Sequence, residues 1–329
     1  MEQKPSYKDR LKSNDNQNPV PLLKKQIGYV LFVLYNIICL IASCLYRIYY
    51  LRLYNNLDKD FLKFSEVFGI WEVSPAWMKS QEMIFYRQVQ LVSPSLEIGF
   101  CRGDISSLIF EGKKFDFGSE YLYFVAARAA KVYDLWRNVC SFDMHNIALK
   151  DESVSTICMV HVVIHVENID QAMGEISRVL KKGGCVYFTG YSDKHYNTSL
   201  IWQCLNVFNK KLAERYTDFL STKRRHPNRF SKDDLITLIS SYHLQLREFH
   251  YFETGVFAYI TYFLDFVCSH NHCFQNAFCR NKGVQEVLRK LFRFYYISIA
   301  YPAYIKTKSK KKMKWGSNFY AVMKKNEEG

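Results

Sequence analysis

The stretch that decides the fold is Ser95-Leu-Glu-Ile-Gly-Phe-Cys-Arg-Gly-Asp104. An apolar run reaches Glu97, two glycines follow at Gly99 and Gly103, and a helix-compatible segment begins behind them. A strand that turns tightly into a helix has this pattern when a nucleotide-like ligand lies against the backbone of the turn. Turns that only pack a helix against a strand have the same pattern, so its interpretation depends on the rest of the chain.

Short apolar runs and helix-compatible segments alternate on both sides of this turn. The predicted strands cover residues 92–98, 115–118, 139–142, 156–162, 185–189, 244–251 and 317–323. The predicted helices lie within residues 57–90, over 103–110, after the second strand through residue 130, over 169–180 and from 231 onward. Strands that alternate with helices imply right-handed crossovers and a mostly parallel sheet, so we expect an α/β, Rossmann-like fold.

Acidic residues follow the second and third predicted strands. Glu120 ends the second strand, 23 residues after Glu97, where a carboxylate can accept both hydrogen bonds of a ribose diol. Asp143 comes just after the third strand. A fourth signal is Glu175-Ile-Ser-Arg-Val-Leu-Lys-Lys-Gly-Gly184, whose two glycines are predicted to form the turn into the fifth strand.

In these four features the chain resembles the class I S-adenosylmethionine-dependent methyltransferases, specifically the group with a type 11 methyltransferase domain. The resemblance covers about residues 90–192 and resumes at 244–251 and 317–323, and Glu175–Gly184 is its most specific part. It implies a seven-stranded sheet with helices on both faces and S-adenosylmethionine as the cofactor. A dinucleotide site is disfavoured, because the first turn lacks the G-x-G-x-x-G spacing.

The resemblance also implies where the cofactor lies. Its methionine moiety is expected along the turn after the first strand, its ribose on Glu120, its adenine beside Asp143 and its sulfonium near the end of the fourth strand. The residues implied are Glu97, Gly99, Cys101, Gly103, Glu120, Tyr121, Asp143, Met144 and Met159. The family turn usually has a third glycine where this chain has Cys101, and a side chain there narrows the room for the cofactor.

Two histidines near the end of the fourth strand, His165 and His161, are the candidate catalytic bases, and His165 is favoured. Methyl transfer is an in-line displacement on an activated donor, so the protein contributes orientation, exclusion of water and, for an oxygen or nitrogen acceptor, a base. A histidine at a helix start or satisfied in the core is the alternative for either residue.

The N-terminal region is predicted to lie outside the enzymatic domain. Residues 1–26 form a polar, basic tail that is expected to be disordered. Residues 27–46 carry no charge, and their twenty positions match the thickness of a bilayer core. Two interpretations of residues 27–52 therefore remain open: a membrane anchor, or a buried or partner-docking helix.

An aromatic-rich insertion is predicted over residues 254–314, between the methyltransferase domain at 57–253 and its terminal strand at 315–329. Its helical stretches at 256–267 and 287–305 are short for membrane spans and contain charges, which favours a hydrophobic lid or interfacial helices. The cysteines and histidines at 268–279 fit no common zinc spacing, so no metal is expected.

The net charge of +14 is concentrated in the N-terminal tail and at 306–314, next to apolar stretches. This arrangement favours an anionic membrane surface over nucleic acid as a partner. We therefore expect a membrane-associated methyltransferase, with its catalytic domain in the cytoplasm, that acts on a lipid, a membrane-presented glycan or another small acceptor. The rival hypothesis is a catalytically degenerate, membrane-tethered scaffold of the same family, and a weaker one is an RNA-binding methyltransferase. The oligomeric state stays open.

Overall fold

The computed structural model describes residues 73–253, 313 and 315–327. The helices are α1 (Val73–Tyr86), α2 (Asp104–Ile109), α3 (Tyr123–Val132), α4 (Ile169–Val179), α5 (Leu200–Phe208), α6 (Lys210–Arg224) and α7 (Lys232–Ser240). The strands are β1 (Ser95–Ile98), β2 (Phe115–Ser119), β3 (Trp136–Cys140), β4 (Val154–Val160), β5 (Leu180–Tyr191), β6 (Leu244–Phe252) and β7 (Asn318–Lys325). Two short 3-10 helices cover Val163–His165 and His195–Thr198.

The strands form one seven-stranded sheet in the order β3-β2-β1-β4-β5-β7-β6. Strands β1 to β5 run parallel to one another, and β7 runs antiparallel to both β5 and β6. The carboxyl ends of β1 to β5 and of β6 therefore lie at one edge of the sheet, where β7 begins. We call this the carboxyl edge. The predicted Rossmann-like sheet is confirmed.

Different helices cover the two faces of the sheet, as predicted. Helices α1, α2 and α3 contribute to a core on one face, and α4 and α7 contribute to a core on the other. Strand β7 shows how the sequence divides between them, because Phe319, Ala321 and Met323 join the second core while Tyr320 and Val322 join the first. Side chains in a strand alternate between faces, so a nearly continuous apolar run serves two buried faces.

Strand β5 differs from its predicted form. The sequence predicts a turn at Gly183-Gly184, whereas β5 begins at Leu180 and runs through both glycines. The register against β4 shifts between Val154 and Thr156, and Gly183 has a φ of 74°, which glycine adopts without steric cost. The two glycines thus lie in an irregular part of β5, and the predicted turn is wrong.

Helices α5 and α6 were not predicted, because the alternation of apolar and polar residues weakens after Tyr191. The predicted tail at 1–26, the hydrophobic segment at 27–52 and residues 254–312 of the predicted insertion lie outside the described residues. No helix within the described ranges is long and apolar enough to cross a bilayer. Phe252, the last residue of β6, and Asn318, the first of β7, are paired at the carboxyl edge, so the strands on either side of residues 254–312 end and begin there.

Candidate functional site

The turn after β1 depends on left-handed backbone conformations. Gly99 and Gly103 have φ values of 73° and 80°. A Cβ atom at Gly99 would overlap Val162, and one at Gly103 would overlap the ring of Tyr133. Cys101, between the two glycines, also has a positive φ of 51°, which costs a non-glycine residue roughly 1 kcal/mol. Cys101 is exposed, and its left-handed backbone conformation is one that suits glycine.

Glu97 supports this turn from inside the domain. Its carboxylate is buried and accepts hydrogen bonds from Ser106 Oγ at 2.6 Å and from Trp136 Nε1 at 2.8 Å. The Trp136 ring packs on Phe100 with a centroid distance of 4.1 Å. Burial raises the pKa of Glu97 to about 7, although both hydrogen bonds oppose the shift. Both oxygens of Glu97 are therefore engaged beneath the turn, on the side away from solvent.

Glu120 lies across the outside of the same turn. Its Oε2 accepts a hydrogen bond from the backbone N–H of Cys101 at 2.7 Å, and its Oε1 accepts one from the N–H of Tyr121 at 2.9 Å. The structure thus brings together two residues that are 19 positions apart and that the sequence assigned to one site. Each carboxylate oxygen has a second lone pair, so Glu120 can accept further hydrogen bonds from a ligand hydroxyl.

Asp143 lies just beyond the end of β3, the strand next to β2. Its Oδ1 accepts hydrogen bonds from the backbone N–H of His145 at 2.9 Å and from His145 Nδ1 at 2.6 Å, and its side chain is 46% exposed. Met144 is buried in the core, whereas Tyr121 is 66% exposed. Of these candidates, Asp143 and Tyr121 present surface to a ligand.

His161 is enclosed by hydrogen-bond acceptors. Its Nδ1 contacts the Glu82 carboxylate, and its Nε2 lies 3.1 Å from Oδ1 of Asn318. The amide orientation of Asn318 is fixed because its Nδ2 donates to the Glu253 carboxylate. Both ring nitrogens of His161 are therefore engaged by buried partners. The ring presents no free lone pair at the carboxyl edge, so in this arrangement His161 does not serve as a base.

Helix α1 supplies the partners of β4 at the carboxyl edge. Tyr86 donates its hydroxyl hydrogen to the carbonyl oxygen of Met159 at 2.5 Å, and Glu82 lies one helical turn earlier. Burial alone would raise the pKa of Glu82, but the charges of His161 and Lys79 lower it to about 2. The Met159 side chain is fully buried in the core beneath α4 and α7, so it presents no surface at the carboxyl edge.

His165 belongs to a cluster of rings beyond the ends of β4 and β5. Its ring centroid lies 4.9 Å from that of His226, which lies 5.1 Å from Tyr191, and Tyr191 stacks on His195 at 3.4 Å. Burial, reinforced by neighbouring histidines, lowers the pKa of His165, lowers that of His226 to about 3 and lowers that of His195 well below its ordinary value. These rings are therefore neutral at pH 7. His165 is partly desolvated within the cluster, while the residue as a whole keeps exposed surface.

A comparison with protein families decides the identity of this domain. Residues 96–188, which run from β1 to β5 and contain Glu97, Glu120 and Asp143, match the methyltransferase domain family. This chain carries a class I S-adenosylmethionine-dependent methyltransferase domain. The methyl donor of that family is S-adenosylmethionine. The predictions of the family and of its cofactor are confirmed.

Solved structures resemble the methyltransferase domain at low sequence identity. A possible histamine N-methyltransferase from Thermotoga maritima is 15% identical, with 77% of this chain and 90% of that chain covered and a TM-score of 0.42. A putative methyltransferase from Bacillus halodurans is 16% identical, with coverages of 75% and 98% and a TM-score of 0.44. A geranyl diphosphate methyltransferase in complex with S-adenosylmethionine is 13% identical, with coverages of 76% and 85% and a TM-score of 0.41. No curated protein matches the chain.

A cavity of about 230 Å³ lies beside the carboxyl edge of the methyltransferase domain. It is formed by the 3-10 helix after β5, by α5 and by the residues that lead into β7. Its lining consists of Lys194, Asn197, Thr198, Trp202, Gln203 and Trp315. Two indole rings beside amide groups and one ammonium group offer both apolar surface and hydrogen-bond donors to a small molecule.

Sequence reasoning missed the residues that surround His161 and Glu97. Glu82 and Asn318 lie 79 and 157 positions from His161, and Trp136 lies 39 positions from Glu97. No spacing rule joins such pairs, since the fold alone brings them together. The local sequence offers one signal for these residues: β7 begins with the polar residue Asn318, and β3 begins with the bulky residue Trp136.

Proposed function

We propose that this chain transfers the methyl group of S-adenosylmethionine to an acceptor that binds at the carboxyl edge of the sheet. The observation that carries the proposal is the position of the Glu120 carboxylate, which lies across the glycine turn and hydrogen-bonds to Cys101 N at 2.7 Å. A carboxylate at the end of β2, beside a turn whose backbone is open to a ligand, fits a ribose diol.

The residues around the turn fit the cofactor. Glu120 would accept hydrogen bonds from the ribose hydroxyls, and the exposed Tyr121 and Asp143 would border the adenine at the neighbouring strand ends. Gly99 and Gly103 would let the methionine moiety approach the backbone, because neither has a side chain on the turn. Glu97 would hold the turn in place from below rather than contact the ligand. When bound, S-adenosylmethionine supplies an activated methyl group.

His165 is the proposed base for an oxygen or nitrogen acceptor. Partial desolvation in the ring cluster lowers its pKa, so its imidazole is neutral at pH 7 and can take the proton that the acceptor loses. The residue keeps exposed surface beyond the end of β4, where an acceptor can reach it. His161 would instead position β4 through its contacts with Glu82 and Asn318.

The proposed acceptor is a lipid or a membrane-presented glycan, and the proposed location is a membrane surface with the domain in the cytoplasm. Three features support this choice: the uncharged residues 27–46, the aromatic-rich residues 254–312, and the position at the carboxyl edge of Phe252 and Asn318, which flank the latter in the sequence. The cavity lined by Trp202, Trp315 and Lys194 offers room for a polar ring at the same edge. Nucleic acid is not the proposed acceptor.

A degenerate, non-catalytic domain is the alternative, and Cys101 is the observation that favours it. Cys101 occupies the left-handed position that suits glycine, and its N–H already bonds the carboxylate that would hold the ribose. Cofactor binding must compete with this hydrogen bond or share the carboxylate with it. Without cofactor binding the domain would act as a membrane-tethered scaffold.

Titration calorimetry with S-adenosylmethionine separates the two functions. We expect the full-length protein to bind with a micromolar Kd, and Glu120→Gln to bind at least tenfold more weakly, since a carboxylate acceptor is replaced by a neutral amide. Glu214→Gln, on the exposed surface of α6, is the matched control and should bind like the wild type. A wild-type protein that does not bind supports the scaffold. Equal binding by Glu120→Gln would instead show that the ribose lies elsewhere.

The acceptor is then sought by methyl transfer. Protein and radiolabelled S-adenosylmethionine are incubated with separated membrane-lipid and soluble fractions, and the labelled product is isolated. Label in the lipid fraction that depends on His165, tested as His165→Asn, supports both the acceptor class and the base. Label in the soluble fraction alone would contradict the membrane acceptor while leaving methyl transfer intact.

A further inference from the structure

Helix α5 ends in two apolar residues that lie in solvent. Val207 is 79% exposed and Phe208 is 84% exposed, more than any other large hydrophobic side chain among the described residues. Ile201 and Cys204 are exposed on the same helix, at spacings that place them with Phe208 on one side. All nine residues of α5 are uncharged. Exposed apolar side chains that form a continuous group mark an interaction surface.

The connection between α5 and α6 places the side chains of Val207 and Phe208 in solvent. A single residue, Asn209, separates the two helices, and its φ of −161° is extended. Its side chain accepts a hydrogen bond from the N–H of Leu212 at 3.2 Å, which caps α6. Ser199 caps α5 in the same way through Trp202 N. Both helix starts are therefore fixed, and the corner formed by residues 207–211 is a defined surface.

Positive charge borders the apolar corner. Lys210 and Lys211 follow Phe208 and Asn209 directly, and both are exposed. Lys210 pairs with the carboxylate of Glu214 at 3.8 Å, in solvent, where such a pair contributes little. Farther along α6, basic side chains outnumber acidic ones, with Arg215, Lys223 and Arg224 against Glu214 and Asp218. An apolar corner bordered by lysines complements the anionic headgroups and acyl chains of a membrane surface.

A second exposed apolar group lies at the same edge of the sheet. Residues 121–124, which follow β2, expose Tyr121, Leu122, Tyr123 and Phe124. The carboxyl ends of β2 and β5 are three strand positions apart, or about 14 Å. Residues 121–124 follow the end of β2 directly, and α5, which ends in the corner, follows the end of β5 through the 3-10 helix His195–Thr198. A membrane that touches both groups therefore lies beside the edge at which the proposed acceptor enters.

We propose that the corner formed by residues 207–211 inserts into an anionic membrane surface and orients the carboxyl edge toward it. The side chains of Val207 and Phe208 enter the boundary between headgroups and acyl chains, and Lys210 and Lys211 contact the lipid phosphates. This docking goes beyond methyl transfer, because it requires neither the cofactor nor a base.

Hydrogen exchange on the full-length protein tests the docking locally, independently of vesicle binding by any other segment. The probes are phosphatidylcholine vesicles with and without phosphatidylglycerol. We expect backbone amides in residues 200–212 to gain protection on the anionic vesicles and not on the neutral ones. The double variant Val207→Ser/Phe208→Ser should lose this protection. Its partition coefficient on anionic vesicles should be about tenfold lower, because the two apolar side chains that would enter the membrane are removed. Lys210→Glu/Lys211→Glu should show an intermediate loss that disappears at high salt.

Ile236→Ser is the matched control, because Ile236 is 42% exposed on α7 and away from the corner. It should partition like the wild type, and all variants should keep the wild-type affinity for S-adenosylmethionine. Vesicle binding without protection of residues 200–212 would overturn the proposal. So would protection without vesicles that rises with protein concentration, because the corner would then contact a second copy of the chain.

Discussion

The Glu82 carboxylate of α1 contacts Nδ1 of His161, which follows β4, and the opposite nitrogen of the same ring lies 3.1 Å from Oδ1 of Asn318 at the start of β7. Lys79 completes the arrangement at 2.7 Å from Glu82. One buried carboxylate thus contacts both the Lys79 ammonium group and the His161 ring. The network thus joins α1 to the end of β4 and to the start of β7 at the carboxyl edge.

Glu82→Gln should strongly destabilise the domain. The change leaves the charges of His161 and Lys79 without their buried anion, and breaking a buried pair in this way costs about 3–5 kcal/mol of unfolding free energy. Urea denaturation followed by circular dichroism measures it. Glu167→Gln, an exposed change near the same edge, should alter the free energy by no more than about 0.5 kcal/mol. A loss below about 1 kcal/mol for Glu82→Gln would show that this buried network contributes little to the stability of the fold.

The effect of Glu97→Gln on the free energy of unfolding should depend on pH. Burial raises the pKa of Glu97 to about 7, so the native state favours the protonated form. The stabilisation from protonation is complete below the unfolded value near 4.5 and is lost as the pH rises through 7, by roughly 3 kcal/mol in total. The neutral amide does not titrate. Relative to wild type, the variant should therefore gain stability between pH 5 and pH 8, and parallel pH curves of unfolding free energy would contradict the shifted pKa.

The contrast between these two carboxylates shows what the sequence can predict. Glu97 and Glu120 were placed at the turn because a strand, a glycine pair and a second strand follow in a fixed order. The burial of Glu97 was not predictable, since Trp136 reaches it from a strand that is not adjacent to β1. His161 was predicted as a candidate base because it lies near the end of β4. Its ring nitrogens are engaged by Glu82 and Asn318, which only the folded chain brings to it.

Cys101→Gly should leave stability nearly unchanged and strengthen cofactor binding. Glycine relieves the left-handed strain of roughly 1 kcal/mol but loses a similar amount through the greater entropy of its unfolded chain. Without the side chain the turn has more room, so calorimetry should show a severalfold lower Kd for S-adenosylmethionine. Cys101→Val is the counterpart, because a β-branched residue tolerates this φ poorly, and it should lose both stability and affinity. An unchanged Kd in Cys101→Gly would show that the side chain does not restrict the site.

His226→Asn should make the domain less sensitive to acid. Burial, together with the charges of His165 and Arg224, lowers the pKa of His226 to about 3, so the native state holds it neutral. The unfolded chain takes up the proton below about pH 6.5, and stability is therefore lost as the pH falls from 6.5 toward 3. We expect the variant to lose about 1–2 kcal/mol less than wild type between pH 7 and pH 5. His243→Asn, exposed and with a φ of 55° that asparagine tolerates, should follow the wild-type curve.

Two glycine-to-alanine changes should have opposite effects. Gly118 in β2 lies against the Trp136 ring, and an added Cβ would overlap the ring and lie 2.7 Å from its Nε1. Because that ring is held by Glu97 and by Phe100, it cannot move freely, and Gly118→Ala should cost about 1–3 kcal/mol. Gly174 lies inside α4, and a Cβ there would meet Tyr242 at an ordinary 3.5 Å. Gly174→Ala should stabilise the domain by about 0.5–1 kcal/mol, since glycine lowers helix stability. Urea denaturation of the two variants checks both signs, and a neutral Gly118→Ala would show that the indole has room to shift beneath the turn.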